Sequence, residues 1–475
     1  MMLSSTSSRI WDLEQYSAQV FAIDDTGKAY TYGELFQQGE LLASAVMSRR
    51  SLVFILCTNT VGSILGYTAC LNHGSVAVLV DAGLDPVLLK NLLQTYSPNF
   101  VWLPSDHQIR MAGGNEIYGA WGYSMLQWNA SAIELNPDLA LLLTTSGSTG
   151  SPKLVRQSRQ NILANTRSIV QYLGIDASER PITTLPMNYT YGLSIINTHL
   201  FMGATLILTQ YGIMQREFWQ RMKSDEVTSI AGVPYIYEML DRLRFTRMQL
   251  PALKTLTQAG GKLSVKLHEK FALYAQEQNK RFIVMYGQTE ATARMGYLPP
   301  EYALSKIGSM GVAIPGGSFS LVDVDGKEIT EPETVGELIY RGDNVTMGYA
   351  ECQADLAKAD ERSGVLATGD MAKRDEDGFY FIVGRKKRFL KIFGSRVNLD
   401  ETERLLATSF DGLECACSGV DDKLKVFITD SARQAEVERF LPEKLGFHPS
   451  AFAVIVIPKI PRNDAGKILY TQLEG

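Results

Sequence analysis

The stretch Thr144-Thr145-Ser146-Gly147-Ser148-Thr149-Gly150-Ser151-Pro152-Lys153 gathers hydroxyls, two glycines and a terminal lysine. The glycines let the backbone bend without Cβ clashes and turn several N–H groups toward one anion. The hydroxyls and the Lys153 ammonium add donors and charge, and together they make a cradle suited to a polyphosphate. The spacing is not that of a G-x-x-x-x-G-K-[ST] loop, and the same composition also suits a plain surface turn.

Four further stretches carry usable chemistry. Leu256-Thr257-Gln258-Ala259-Gly260-Gly261 reads as a strand ending in glycines, where a flat ring can lie against bare backbone. Phe282-Ile283-Val284-Met285-Tyr286-Gly287-Gln288-Thr289-Glu290 reads as a strand running into a loop with one hydroxyl and one carboxylate. A carboxylate at a strand's C-terminal end can hold Mg²⁺ and the hydroxyl can reach a phosphate; the structural alternative is a helix cap at Thr289. Thr368-Gly369-Asp370 sets an aspartate after a tight turn, able to accept both hydroxyls of a ribose or to serve as a simple turn residue. Pro461-Arg462-Asn463-Asp464-Ala465-Gly466-Lys467 places Lys467 on a glycine-containing turn between extended runs.

The elements that position these stretches follow from apolar runs. Leu139 to Leu143 predicts a buried strand leading into the hydroxyl-rich loop, and a helix follows with Ser158 as its N-cap and Ile162, Leu163, Ile169, Val170 and Leu173 on one face. Val53–Leu56 and Val76–Val80 predict buried parallel strands joined by a crossover helix. Residues 181–209 read as strand, loop, helix, strand, and residues 226–260 repeat the theme. Alternation of strand and helix implies an α/β layered architecture with parallel sheets. Beyond Gly308 short runs bounded by Gly and Asp (Phe319–Val324, Gly336–Arg341, Gly378–Val383) predict a smaller, mostly antiparallel β subdomain. In Gly384–Val397, Phe389, Leu390, Ile392 and Phe393 interleave with basic residues and predict a hairpin with one buried side rather than a solvated basic face. The remainder predicts a small α+β unit, with helices near Leu399–Ser409 and Ala432–Lys444 and strands at Lys425–Ile428 and Ala453–Val456.

The chain has 475 residues, enough for about two or three domains and a large core. Its net charge of −5 argues against a nucleic-acid partner. Five cysteines do not suggest a disulfide framework, and Cys415 and Cys417 are too close for a C-x-x-C metal site, which fits a reducing cytoplasm. The first residues lack the apolar core of a signal peptide. The most apolar region, Leu52 to Leu84, is broken by Asn59, Asn72, His73 and glycines, so no run reaches the roughly 20 apolar residues of a membrane span.

Taken in order, Thr144–Lys153, Gln258–Gly261, Tyr286–Glu290, Thr368–Asp370, Gly384–Val397 and Pro461–Lys467 resemble the adenylate-forming superfamily. That superfamily includes acyl- and aryl-CoA synthetases, nonribosomal peptide adenylation domains and firefly luciferase. The resemblance runs from Tyr30-Thr31-Tyr32-Gly33-Glu34-Leu35 to the tail. It implies a large N-terminal domain over residues 1–386, with the β subdomain at 308–386, and a small mobile C-terminal lid over 387–475. It also implies a reaction: a carboxylic acid is activated with Mg·ATP to an acyl-AMP, pyrophosphate leaves, and a thiol or an amine then displaces AMP.

Residue by residue, the resemblance implies that Thr145, Ser146, Gly147, Ser148, Thr149, Gly150 and Lys153 hold the β- and γ-phosphates. Ala259, Gly260, Gly261 and Tyr286, with Gly287 and Gln288 beside it, would flank adenine. Thr289 would contact the α-phosphate, Glu290 would bind Mg²⁺, Asp370 would bind the ribose with Arg385 beside it, and Lys387 would be the hinge. Lys467 would be the catalytic lysine of adenylation, and Lys391 and Gly394 would line an acceptor tunnel. Two positions depart from the common pattern: Arg388 stands where many relatives have an acidic residue, and Gln288 is an unusual neighbour for Thr289.

The acid is constrained by one loop. Amino-acid-activating relatives place an aspartate in the segment matched by Asn188–Ser194, which has no carboxylate here, so a buried ammonium would lack a partner. The histidine that many acyl- and aryl-CoA synthetases carry near Tyr189 is also missing. Tyr189, Tyr191, Gly192, Ile195, His199, Val233, Tyr235 and Met295 are expected to line an amphipathic pocket, and Arg294 is expected at the solvated surface rather than against a second polar group of the acid. The expected acceptor is CoA or a carrier protein. The alternatives are an amide synthetase that uses an amine acceptor and, from another class, a degenerate nucleotide-binding scaffold, against which intact Lys153, Glu290, Asp370 and Lys467 argue.

Overall fold

The computed structural model describes residues 9–46, 49–109, 115–144, 153–386, 388–393, 395–462 and 468–473. The chain divides into two compact units. One comprises Met1–Gly308, Ala313–Ser318 and Arg341–Leu366; the other comprises Ser309–Val312, Phe319–Tyr340 and Ala367–Gly475.

The larger unit is built on a mixed sheet. Its strands, edge to edge, are Gly348–Ala350, Leu154–Ser158, Leu139–Thr144, Val76–Asp81, Leu52–Cys57, Phe100–Pro104, Tyr123–Gln127 and Asn115–Ala120. The middle of the sheet is parallel, as the continuous apolar runs of Leu52–Cys57 and Val76–Asp81 require of strands buried on both faces. The crossover helix Val61–Asn72 is buried along its whole length. A second sheet pairs Ser229–Gly232, Thr255–Gln258 and Arg281–Tyr286 in parallel, with Gly296–Tyr297 antiparallel at its side. Both the α/β fold and the parallel pairings expected of the sequence are present.

One strand is added and two local expectations are corrected. The hydroxyl-rich loop leads into a strand, Leu154–Ser158, antiparallel to Leu139–Thr144, and only then into the helix Arg159–Leu173. Ser158 does cap that helix, accepting from the Asn161 N–H while the Asn161 side chain accepts from the Ser158 N–H. The buried face of the helix is mostly polar, with Asn161, Asn165, Thr166 and Ser168 beside Ile162 and Ile169, while Leu163, Val170 and Leu173 are only partly covered. Residues 181–182 make isolated bridges rather than a strand.

The smaller unit contains strands in the order Glu328–Ile329, Gly317–Val322, Gly336–Gly342, Val365–Arg374 and Tyr380–Arg385, antiparallel where Val365–Arg374 meets Tyr380–Arg385. The expected hairpin is formed by Phe389–Ile392 and Ser395–Asn398. Leu390, Ile392 and Val397 point into a core with the helices Leu399–Ser409 and Gln434–Leu445, but Phe393 is 58% exposed at the turn. Cys415–Val420 is a strand that the sequence reading missed; it pairs with Lys423–Ile428, which pairs in parallel with Phe452–Val456. Arg388, the departure from the common motif, lies 2.6 Å from both Asp400 Oδ1 and Glu403 Oε1 and stacks on Tyr470. Burial pushes the Glu403 carboxyl up, and Arg388 draws it back.

Candidate functional site

Lys153 directly precedes the strand Leu154–Ser158. The next strand, Gly348–Ala350, pairs with it in the register Tyr349 opposite Val155. Arg156 enforces that pairing. It is fully buried and donates to the carbonyls of Tyr349, Met347, Lys358 and Ala359 and to the Glu361 carboxylate. A guanidinium has the fixed fan of donors that such a carbonyl cage requires. The result brings Tyr349 beside Lys153, whose Nζ sits 3.7 Å from the ring centroid.

Glu290 reaches the same tyrosine from another element. The strand Arg281–Tyr286 ends, and a single 3₁₀ turn, Thr289–Ala291, carries Thr289 and Glu290; Gln288 precedes that turn and makes no side-chain cap. Thr289 is therefore not capping a helix. Tyr349 donates its hydroxyl to Glu290 Oε1 at 2.8 Å, and burial together with that carboxylate pushes the phenol up to about 12, so it remains a protonated donor. The Glu290 carbonyl accepts from Thr346 and Arg362, and Arg362 stacks on the far side of the cluster, 4.6 Å from the Tyr349 ring. Asn344 holds the turn from below by donating to the carbonyls of Ala291 and Arg294. Tyr349, Arg362 and Asn344 lie more than fifty residues beyond Glu290, as in the Tyr349 and Asn344 bonds spanning 59 and 53 positions, and no motif marks them.

The turn geometry depends on glycine at two places. A Cβ on Gly287 would lie 1.7 Å from the Ala293 carbonyl oxygen. Gly260 has φ +84°, and a Cβ there would meet the Tyr189 hydroxyl at 2.6 Å. The buried Gln258 side chain donates to the carbonyls of Ala259 and Gly261 and so shapes the Ala259–Gly261 turn. Gln288 donates to the Tyr286 hydroxyl. In the smaller unit Asp370 is paired in register with Arg385, whose Nε is 3.1 Å from Asp370 Oδ1.

A cavity opens between the helices Arg159–Leu173 and Thr190–Phe201 and the second sheet. Of the expected pocket residues, Tyr191, Ile195 and His199 line it; Ser194, Thr257, Met285 and Arg294 line it as well. Tyr189 packs edge-on against Tyr191. Gly192 serves close packing, since a Cβ there would meet the Pro186 carbonyl at 2.2 Å. Val233 and Met295 are core residues outside the cavity lining, and Tyr235 is 47% exposed, so these three do not line this cavity. Arg294 reverses its expectation: it is 3% exposed and stacks 3.9 Å over the Tyr191 ring. Burial pushes the Tyr191 phenol up to about 12 and the His199 imidazole down to about 4, so both are neutral near pH 7.

Thr145, Ser146, Gly147, Ser148, Thr149, Gly150, Lys387, Gly394 and Lys467 lie outside the described residues, and of Lys391 only the backbone, in the strand Phe389–Ile392, is described. Arg462 and Ile468, which flank residues 463–467 in the sequence, form an isolated bridge. Among the described residues no helix is long and apolar enough to cross a membrane. A single carboxylate at the Glu290 turn fits Mg²⁺, which takes one or two protein carboxylates and completes its shell with phosphate and water.

The AMP-binding enzyme family matches residues 11–350. The 2-succinylbenzoate–CoA ligase of Bacillus subtilis is 24% identical over 490 residues, covering 100% of this chain and 98% of that one. The 2-succinylbenzoate–CoA ligase of Bacillus licheniformis is 29% identical over 344 residues, covering 71% and 70%. The solved structure of o-succinylbenzoate CoA synthetase from Bacillus subtilis with its acyl-adenylate intermediate superposes with a TM-score of 0.79 at 22% identity, covering 100% of this chain and 99% of that one. The chain belongs to the AMP-binding enzyme family.

Proposed function

We propose that the protein activates a carboxylic acid with Mg·ATP to an acyl-adenylate and then transfers the acyl group to the thiol of coenzyme A. One observation carries the reading: Lys153 stands 3.7 Å over the Tyr349 ring, and Glu290 accepts from that ring's hydroxyl at 2.8 Å. A cation and a carboxylate held on one ring suit a polyphosphate and its metal together. Family membership and relatives named as CoA ligases support the same chemistry.

In the first step a carboxylate oxygen bonds to the α-phosphorus, the bond to the bridging oxygen breaks, and the electron pair leaves with pyrophosphate. In the second the thiol sulfur bonds to the acyl carbon, the C–O bond to AMP breaks, and the thiol proton is released. Catalysis of the first step is positioning plus charge stabilisation. Lys153 and the loop at 145–150 hold the outer phosphates, Thr289 meets the α-phosphate, and Glu290 would hold Mg²⁺, which neutralises phosphate charge when bound. Ala259–Gly261 and Tyr286 flank adenine, and Asp370 with Arg385 takes the ribose. Residues 387–475 act as a lid that turns about Lys387 between the steps, with Lys391 and Gly394 beside the acceptor. The cytoplasm is the proposed compartment, supported by five free cysteines.

The test is mass spectrometry of enzyme, Mg·ATP and a panel of carboxylic acids, each run with CoA, with pooled amines, and alone. AMP with a thioester is the expected product. An amide without any thioester would replace the thiol by an amine, and AMP formation with no acid at all would sink the reading. Lys467→Ala should lose on the order of 3–4 kcal/mol of transition-state stabilisation, about 10²–10³-fold in adenylation, while sparing transfer from supplied acyl-AMP. Equal loss of both steps would refute that role.

A further inference from the structure

Arg294 is a buried cation that the activation chemistry does not use. Its backbone is clamped: the N–H donates to Asn165 Oδ1, and the carbonyl accepts from the Asn165 and Asn344 amides. The clamp leaves the side chain directed along the cavity wall, stacked on Tyr191. Its Nε has no hydrogen-bond partner, Nη1 makes a long contact of 3.4 Å with the Ala293 carbonyl, and the Tyr172 phenol, kept neutral by burial, is the side chain that hydrogen-bonds the guanidinium. Among the described residues no carboxylate pairs with it. The carboxylate in the cavity lining, Glu179, accepts instead from Thr228.

A guanidinium with five N–H donors is not left this poorly satisfied in a buried site without reason, because desolvation costs more than one ring stack returns. The groups around it offer no negative charge of their own. Tyr191 spends its hydroxyl on Thr257 at 2.8 Å, Ser194 donates to the Tyr191 carbonyl, and His199 is neutral with Nδ1 engaged by the Ile195 carbonyl. Arg294 draws the phenols of Tyr172, Tyr189 and Tyr191 down against burial, so its positive charge is felt across this wall. The rest of the lining combines apolar side chains, Ile169, Ile195 and Met285 among them, with the hydroxyls of Thr198, Ser229 and Thr255 and a second cation, Arg281, whose donors go to the Leu173 carbonyl and the Thr255 hydroxyl. Such a wall fits a ligand with an apolar body and an anionic end.

We infer that the acid taken by this enzyme is a dicarboxylate, and that Arg294 pairs with the carboxylate that is not adenylated. The inference rests on the acid-activation reading above and on this cavity as the acid pocket. Arg294 is thereby a specificity-determining residue, and a planar fork matching a carboxylate explains why arginine rather than lysine occupies the position.

The experiment uses matched acids differing only by a distal carboxylate: hexanedioate against hexanoate, and 4-carboxyphenylpropanoate against phenylpropanoate. Two readouts are taken on the full chain, pyrophosphate exchange and the ligand-induced shift in melting temperature. The expected result is at least a 100-fold preference in kcat/KM for a dicarboxylate. Arg294→Met should abolish that preference chiefly by raising KM for the dicarboxylate, and Arg294→Lys should recover only part of it. The melting temperature of each variant without ligand checks its fold. A wild-type preference for monocarboxylates, equal losses on both members of a pair, or no shift with any dicarboxylate would overturn the inference. Should pyrophosphate exchange fail with every acid while a dicarboxylate still shifts the melting temperature through Arg294, the activation reading falls and the anion site stands.

Discussion

Tyr349 shows how one side chain joins two charges. Its ring lies under the Lys153 ammonium, and its hydroxyl donates to Glu290 at 2.8 Å. Replacing it by phenylalanine separates the two roles, since the ring remains and the donor is lost. A hydrogen bond to a charged group contributes about 1.5–3 kcal/mol. Tyr349→Phe should therefore raise the Mg²⁺ concentration needed for half-maximal pyrophosphate exchange by about tenfold or more. An unchanged Mg²⁺ titration would show that the hydroxyl does not orient the metal-binding carboxylate. Arg294 belongs to the same scale: type alone places an arginine at the surface, and only its packing against Tyr191 and its backbone clamp by Asn165 put it inside.

At the scale of elements, the site hangs on two turns that leave parallel strands, after Gln258 and after Tyr286. The chain must double back within a few residues, so that Met295 N–H reaches the Tyr286 carbonyl. The backbone of 293–294 then passes so close to Gly287 that a Cβ would sit 1.7 Å from a carbonyl oxygen. Overpacking against backbone cannot relax as a side chain does, so Gly287→Ala should cost about 3 kcal/mol or more and lower the melting temperature together with activity. Gly39 is the contrast. It lies inside the helix Tyr32–Val46, and a Cβ there would find its nearest neighbour 4.0 Å away. Gly39→Ala should be neutral or stabilising by up to about 1 kcal/mol, because alanine loses less backbone entropy in a helix. Thermal melts of the two variants side by side decide the matter, and similar melting temperatures would contradict it.

At the scale of the molecule, each unit owns its core. The clusters around Phe54, Val53 and Tyr191 are drawn from the larger unit, whereas the cluster around Leu406, Val426 and Leu441 uses only residues 390–454. Separate cores predict separate unfolding transitions in calorimetry. Arg388 then offers a selective probe. Removing it takes the cation from beside Asp400 and Glu403, in a site where the Arg388 and Glu403 side chains are 14% and 15% exposed. Breaking such a pair costs about 3 kcal/mol. Arg388→Met should lower the smaller unit's transition and leave the larger one in place; a single transition that moves as a whole would refute the independence of the cores.

By itself the sequence determined the chemistry that is local along the chain. Apolar runs placed Leu52–Cys57, Val76–Asp81 and Arg281–Tyr286 as buried strands, because burial on both faces leaves no room for polar alternation. Ser158 as a cap and the hairpin after Phe389 were equally legible, since their partners lie within a few positions. The order of the motifs identified the family. Only the tertiary structure decided which distant groups meet them. The strand Leu154–Ser158, already paired with Leu139–Thr144 beside it in the chain, takes its second partner, Gly348–Ala350, from almost two hundred residues away, and the Arg156–Tyr349 bond spans 193 positions. Tyr349, Asn344 and Arg362 became parts of the site in the same way. The burial of Arg294 was invisible for the same physical reason: a side chain's solvation depends on what packs over it, and that is set by long-range contacts rather than by neighbours in sequence.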